Sequence, residues 1–220
     1  GTDSASDVFQ ITDDTLLAGL DISGGNNGVY GDSVSGFTLR DLDISAANAG
    51  GVRLDGTLTG QILNNTYNSS GGFETGSGFE IGTWNDGLIS GNRATGCWQN
   101  GFEVYRLNGG TLSNNTATDT DNYGFFVGIH NGGSLSGNTA TNNWRGFHID
   151  WFNGGTISGN TATGNDEGFY VFGFRGGTMS DNTASDNDMG FYVHNDFSSG
   201  TMSDNTATSN DDYGFVVFNF

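Results

Sequence analysis

The sequence predicts an all-β solenoid, a parallel β-helix of about ten coils with three short strands in each, and three observations predict it. A Gly-Phe pair opens the segments GFEI at 78, GFEV at 101, GFFV at 124, GFHI at 146, GFYV at 168, GFYV at 190 and GFVV at 214, a period of 22 to 24 residues. A second block recurs between these pairs: GGTLSNNTAT from 109, GGSLSGNTAT from 132, GGTISGNTAT from 154 and GGTMSDNTAS from 176. Within each unit, apolar and polar residues alternate with a period of two in three segments parted by Gly, Asn and Asp, and no helical periodicity interrupts them. A leucine-rich repeat needs a helix or a long convex segment in each unit, and a propeller blade needs about 40 residues, so neither fits.

The repeat organises the whole chain as one domain, 1–220, with irregular N-terminal coils over 1–77 and regular repeats over 78–220. The early coils carry a blurred version of the motif, GVY at 28 and GVRL at 51, with twin LDIS segments at 20 and 42. Alternation along the Gly-Phe strand turns its Phe and Val or Ile inward, so Phe147 and Ile149 are expected to stack with Phe169 and Val171 of the next coil. Leu112, Leu135, Ile157, Met179 and Met202 form a second inward row, and the Ala of Thr-Ala-Thr a narrow third. Burying each large apolar side chain contributes about 1.5 to 3 kcal/mol, so these rows offset much of the ordering cost. Asn92, Asn115, Asn138, Asn160, Asn182 and Asn205 are expected at one bend, and Asn143, Asn165, Asn187 and Asn210 at another, bonding the turn backbone of their own coil and the next.

Composition narrows the partners. The 25 acidic residues face six arginines and no lysine, a formal charge of −19, which disfavours nucleic acid and anionic membrane surfaces. No apolar run reaches the roughly 18 to 20 residues that span a bilayer, so no membrane insertion is expected. Such an acidic surface suits a halotolerant, secreted protein of the extracellular or periplasmic space. The single cysteine, Cys97, forms no internal disulfide and leaves the redox compartment open. The opening GTDSASD and the closing GFVVFNF read as edges of a piece cut from something longer.

Function is sought on the outward positions of the Gly-Phe strand, where packing leaves the residue free. The third motif position reads Glu80, Glu103, Phe126, His148, Tyr170, Tyr192 along the stack, and the fifth includes Tyr105, Asp150, Phe172 and His194. Trp84, Arg106, His130, Trp151, Phe174 and Arg175 follow just beyond, so all three histidines are expected on one aromatic and charged face. That mixture suits a polysaccharide, whose rings stack on aromatic faces while hydroxyls or carboxylates meet the polar groups. The expected binding residues are Glu80, Trp84, His130, Trp151, Phe172, Phe174, Arg175, Tyr192 and His194. The candidate catalytic set is Glu103, Tyr105, Arg106, His148, Asp150 and Tyr170. On an anionic glycan, Arg106 or Arg175 neutralises the uronate, His148 is the base and Tyr170 the acid; for hydrolysis, Glu103 pairs with Asp150.

A repeat such as TISGNTATGNDEGFYV resembles the right-handed parallel β-helix repeat shared by NosD-like periplasmic proteins, carbohydrate-binding and sugar-hydrolase repeat proteins, and the catalytic modules of mannuronan C5-epimerases. The resemblance covers nearly the whole chain, is strongest from residue 78 onward, and implies the fold and its right-handedness, not an activity. The epimerases carry Gly-Tyr-Gly-Phe-Asp-Pro-His; the nearest stretch here matches at Tyr123, Gly124 and Phe125. It departs from that motif at Phe126, where the catalytic Asp stands, and at Gly128, where the His stands.

Three further expectations complete the reading. Asp166, Asp188 and Asp211 stack at an acidic bend and are candidate Ca²⁺ ligands, although no cofactor is required. The outward Thr-x-Thr rows, such as Thr139/Thr141 and Thr161/Thr163, set ice binding beside glycan binding as a minor alternative. A non-catalytic adhesin or spacer rod, self-associating end to end or face to face, is the competing class.

Overall fold

The computed structural model describes residues 6–45, 47–69 and 76–218; the expected cut edges lie partly outside these, at 1–5 and 219–220. Among the described residues every regular element is a strand, and no helix is long and apolar enough to cross a membrane. All strand pairs are parallel and join residues one repeat apart. Among the described residues the Thr-Ala-Thr strands, with their early counterparts Asp21–Ser23, Asp43–Ser45, Thr66–Asn68 and Arg93–Thr95, form a nine-stranded sheet, one strand per turn. The Gly-Phe and Thr-Leu-Ser strands make up the other, 16-stranded sheet.

The interior is a set of ladders set by this pairing. From Phe79 through Phe102, Phe125, Phe147, Phe169 and Phe191 to Phe215, successive rings lie 4.7–4.9 Å apart and within 7° of parallel. That separation is the strand spacing itself, so the backbone ladder fixes the ring stack. Val127, Ile149, Val171 and Val193 are buried beside them, as are Leu112, Leu135, Ile157 and Met179.

Two asparagine ladders close the corners. Asn160 shows the pattern: its Nδ2 donates to Leu135 O and to Asn182 Oδ1, both at 2.9 Å, while its Oδ1 accepts from the backbone N and Nδ2 of Asn138. The same ladder starts one coil earlier than the sequence suggested, at Asn65. The second runs from Thr120 through Asn143, Asn165 and Asn187 to Asn210. Each corner turns on one left-handed residue, which explains the Gly, Asn or Asp placed there: Asn114, Gly137, Gly159 and Asp181 after the second strand, and Asp119, Asn142, Gly164 and Asp186 after the third, all with φ between 55° and 68°.

Strict alternation fails twice in each coil, and both failures relocate expected site residues. At Gly146–Phe147 two successive residues face inward, because a Cβ on Gly146 would meet Gly168 O at 2.7 Å and the Ala162 Cβ at 2.9 Å. The residue before the glycine is thereby thrown outward. After the Val or Ile, two successive residues face outward, Asp150 and then Trp151, and Phe152 turns in with no exposed surface. Trp84, Leu107, His130 and Phe152 therefore form an inward ladder in continuous register, extended by Phe174. Trp84, His130 and Phe174, expected on the outer face, are fully buried. The bend consumes one residue of the alternation, which a two-residue count along the motif does not register.

Candidate functional site

The outward side of the Gly-Phe sheet carries one register row, Arg53, Glu80, Glu103, Phe126, His148, Tyr170 and Tyr192, one residue per coil. Its side chains fall into two groups divided by Phe126.

The first group is built on carboxylates. Arg53 lies 3.3 Å from Asp55 and 3.7 Å from Glu80. The Tyr105 hydroxyl donates to Glu80 at 3.4 Å. Glu103, one coil on, is nearly covered; its Oε2 accepts from Ser77 Oγ at 2.6 Å and Asn100 Nδ2 at 2.9 Å. Burial chiefly, opposed by Arg53 and reinforced by the Glu103 charge, raises the Glu80 carboxyl above its ordinary range. Burial and the same two carboxylates push the Tyr105 hydroxyl up as well. Arg106 stands exposed beside this group, in register with Thr83 and Ile129, without an ion pair among the described residues.

The second group is built on rings around Arg145, a residue that a reading forward from Gly-Phe passes over. Its guanidinium lies 3.8 Å from the Tyr170 ring centroid and 4.5 Å from that of Trp144. Its Nε donates to Glu167 at 2.5 Å and its NH1 donates to His148 Nδ1 at 3.1 Å. Because an arginine only donates, His148 Nδ1 carries the lone pair, and its Nε2–H donates to Asp150 Oδ1 at 2.8 Å. Burial first, then the neighbouring Arg145, outweigh Asp150 and lower the His148 pKa, so the ring is neutral. Both of its nitrogens are committed, and it is 7 % exposed. The base expected at His148 therefore has no lone pair facing outward.

Tyr170 and His194 make the more open pair, hydroxyl to Nε2 at 2.8 Å. Burial lowers the His194 pKa and raises that of Tyr170, so the phenol donates and the neutral imidazole accepts. Trp151 sits edge-on to Phe172 and under the Arg175 guanidinium, which is held by Asp196 at 2.5 Å. Glu103 and Asp150, expected to pair for hydrolysis, stand two coils apart, with Phe126 in register between Glu103 and His148.

Ring contacts continue along the axis: Tyr123 to Phe126, Trp144 and His148, then His148 to Tyr170, Tyr170 to Tyr192, and Tyr192 to Phe218, at 4.5–6.0 Å. Trp144, 43 % exposed, is one of the most open rings of this track. The sequence reading brings in Tyr123 only through the epimerase motif and passes over Trp144 and Arg145; the signal is the residue run just before each Gly-Phe pair.

Elsewhere, the buried His130 donates from Nδ1 to Gly154 O at 2.8 Å, while its Nε2 has no hydrogen-bond partner. Burial lowers its pKa to about 4. Asp166, Asp188 and Asp211 are exposed and each follows a residue of the second asparagine ladder. Among the described residues no group of three or more His, Cys, Asp or Glu side chains is arranged to hold a metal ion. The Thr-x-Thr rows stack in register, Thr139 on Thr161 and Thr141 on Thr163, with corner residues such as Asp119 and Asp186 exposed at their edge.

The family description "right handed beta helix region" matches residues 27–130 and 89–220, which together span most of the chain. No curated protein matches the chain.

Proposed function

This chain belongs to the right-handed β-helix family, and from that premise we propose that it is a secreted module that engages a polysaccharide along the outward side of its Gly-Phe sheet. The observation that carries the reading is the unbroken track of rings from Tyr123 to Phe218, interleaved with the Arg145, Asp150 and Tyr170–His194 polar groups. Four coil steps from Phe126 to Val216 at about 4.8 Å each give about 19 Å, enough for several sugar rings in line. An open strip of this kind fits an extended polymer, where a small molecule is better held by an enclosed cleft. Recognition is the function this geometry supports best, because His148 is fully hydrogen-bonded and Glu103 is covered.

The test is a panel of soluble glycans assayed by affinity electrophoresis, with new unsaturated and reducing ends measured in the same samples. Binding by the native protein, weakened in Trp144→Ala and in Tyr170→Ala, is expected. Turnover abolished in Tyr170→Phe extends the reading to lyase, epimerase or hydrolase chemistry at the Tyr170–His194 pair. Silence across the panel, with self-association through the aromatic strip, overturns it in favour of a structural rod.

A further inference from the structure

We infer that the glycan taken by this face is rich in hydrogen-bond donors and carries no negative charge: an uncharged or amine-bearing polysaccharide, not a polyuronate. The inference rests on the reading of the face just given and concerns what the face can exchange with a ligand. A polyuronate needs free cations and free N–H or O–H donors, whereas a hydroxyl-bearing or ammonium-bearing chain needs acceptors.

Three of the four arginines on this face, all but Arg106, are already held. Arg53 is held by Asp55 and Glu80, Arg145 by Glu167 and Arg175 by Asp196. The Arg145 pair is the least open to competition, since both side chains are only 14 % exposed and the guanidinium is also stacked on Tyr170. A carboxylate arriving there would have to displace Glu167 and leave it uncompensated beside the rings. Arg106 is the remaining cation, beside the already crowded Glu80 and Glu103 carboxylates.

The donors next to the carboxylates are spent as well. Ser77 and Asn100 give theirs to Glu103, Tyr105 to Glu80, His148 to Asp150, and Tyr170 shares its proton with His194. The indole N–H groups of Trp144 and Trp151, the Nδ1–H of His194 and the Tyr192 hydroxyl are neutral donors that serve a sugar hydroxyl as readily as a carboxylate. Acceptors remain. Asp150 is 42 % exposed at its side chain and uses one oxygen on His148, which leaves its other oxygen to accept from a sugar hydroxyl or ammonium. Beyond the strip, the formal charge of −19 repels a polyanion over the roughly 8 Å screening length of physiological salt.

The experiment compares hydroxyethyl cellulose, chitosan, polygalacturonate and alginate against the full chain, by affinity electrophoresis and calorimetry at low and high salt. The uncharged polymer or chitosan is expected to bind at least about tenfold more tightly than either polyuronate. Binding that is indifferent to salt identifies the uncharged source, and binding that weakens with salt identifies the amine. Asp150→Asn, which keeps the size and removes the charge, should weaken the favoured polymer several-fold and leave the polyuronates unchanged or improved. A polyuronate that binds as tightly as the others, on the same strip and more weakly as salt rises, overturns this inference and leaves the polysaccharide reading standing. Absence of binding to all four polymers overturns both.

Discussion

Two arginine–glutamate pairs, Arg53 with Glu80 and Arg145 with Glu167, each join one coil to the next on the outward strip, yet they behave as different chemistries. Around Arg53 the neighbours are carboxylates and the pair is open, with the arginine side chain 42 % exposed. Around Arg145 the neighbours are rings and both partners are mostly covered. The backbone beneath is the same parallel ladder, so the contrast comes only from which side chains the outward positions hold. Burial, reinforced by neighbouring negative charge, raises the pKa of a carboxyl in one group; burial beside a guanidinium lowers that of an imidazole in the other.

Deleting each arginine in turn separates the two groups by the largest margin. Arg145→Ala strands Glu167 beside the rings and is expected to cost about 3 kcal/mol, whereas Arg53→Ala, in solvent, costs about 1 kcal/mol or less. For a chain of this size the first corresponds to roughly 6 to 12 °C of melting temperature. Equal effects in thermal unfolding would erase the distinction.

Titration gives the next largest effect. His130 has a folded pKa of about 4, below its unfolded value of 6.5, so between these limits the unfolded chain takes up a proton that the folded chain does not. Stability is therefore full above pH 6.5 and falls by about 3 kcal/mol as the pH drops to about 4. In His130→Leu, which matches Leu107 one coil earlier in the ladder, that part of the slope should vanish from denaturant melts recorded across the range. His148, also lowered, acts in the same direction. Glu80, raised, acts in the opposite one: its contribution is present at acid pH and is lost as the pH rises through its folded pKa. Glu80→Gln should thus steepen the loss of stability on acidification, and His148→Gln should soften it.

Binding separates the two groups by the smallest margin. Trp144→Ala removes the open ring of the Arg145 group and is expected to weaken glycan affinity about tenfold, or about 1.4 kcal/mol. Thr83→Ala, next to the carboxylate group, should leave affinity within about twofold.

How far this was legible in the sequence follows from the same geometry. The Phe, Leu or Met, Ala and Asn ladders could be read directly, because each coil repeats the same residue at the same place and the solenoid turns that repetition into contact. The histidine, tyrosine and carboxylate positions on the third motif residue were legible for the same reason. Trp84, His130 and Phe174 were misplaced because a corner inserts a second outward residue before them, and no local residue type marks that insertion. Arg145 escaped because the doubled inward step at Gly146–Phe147 reverses the facing of the residue ahead of it. Whether Glu103 is covered depends on Ser77 and Asn100 from its own and the preceding coil, which a column-by-column reading does not bring together.

Hydroxyl-radical footprinting shows directly whether a glycan lies on the outward side of the Gly-Phe sheet. With a polymer that the electrophoresis shows to bind, oxidation of Trp144, Trp151 and Tyr192 should fall together. Unchanged oxidation at these three under saturating polymer, with protection elsewhere on the rod, would contradict it.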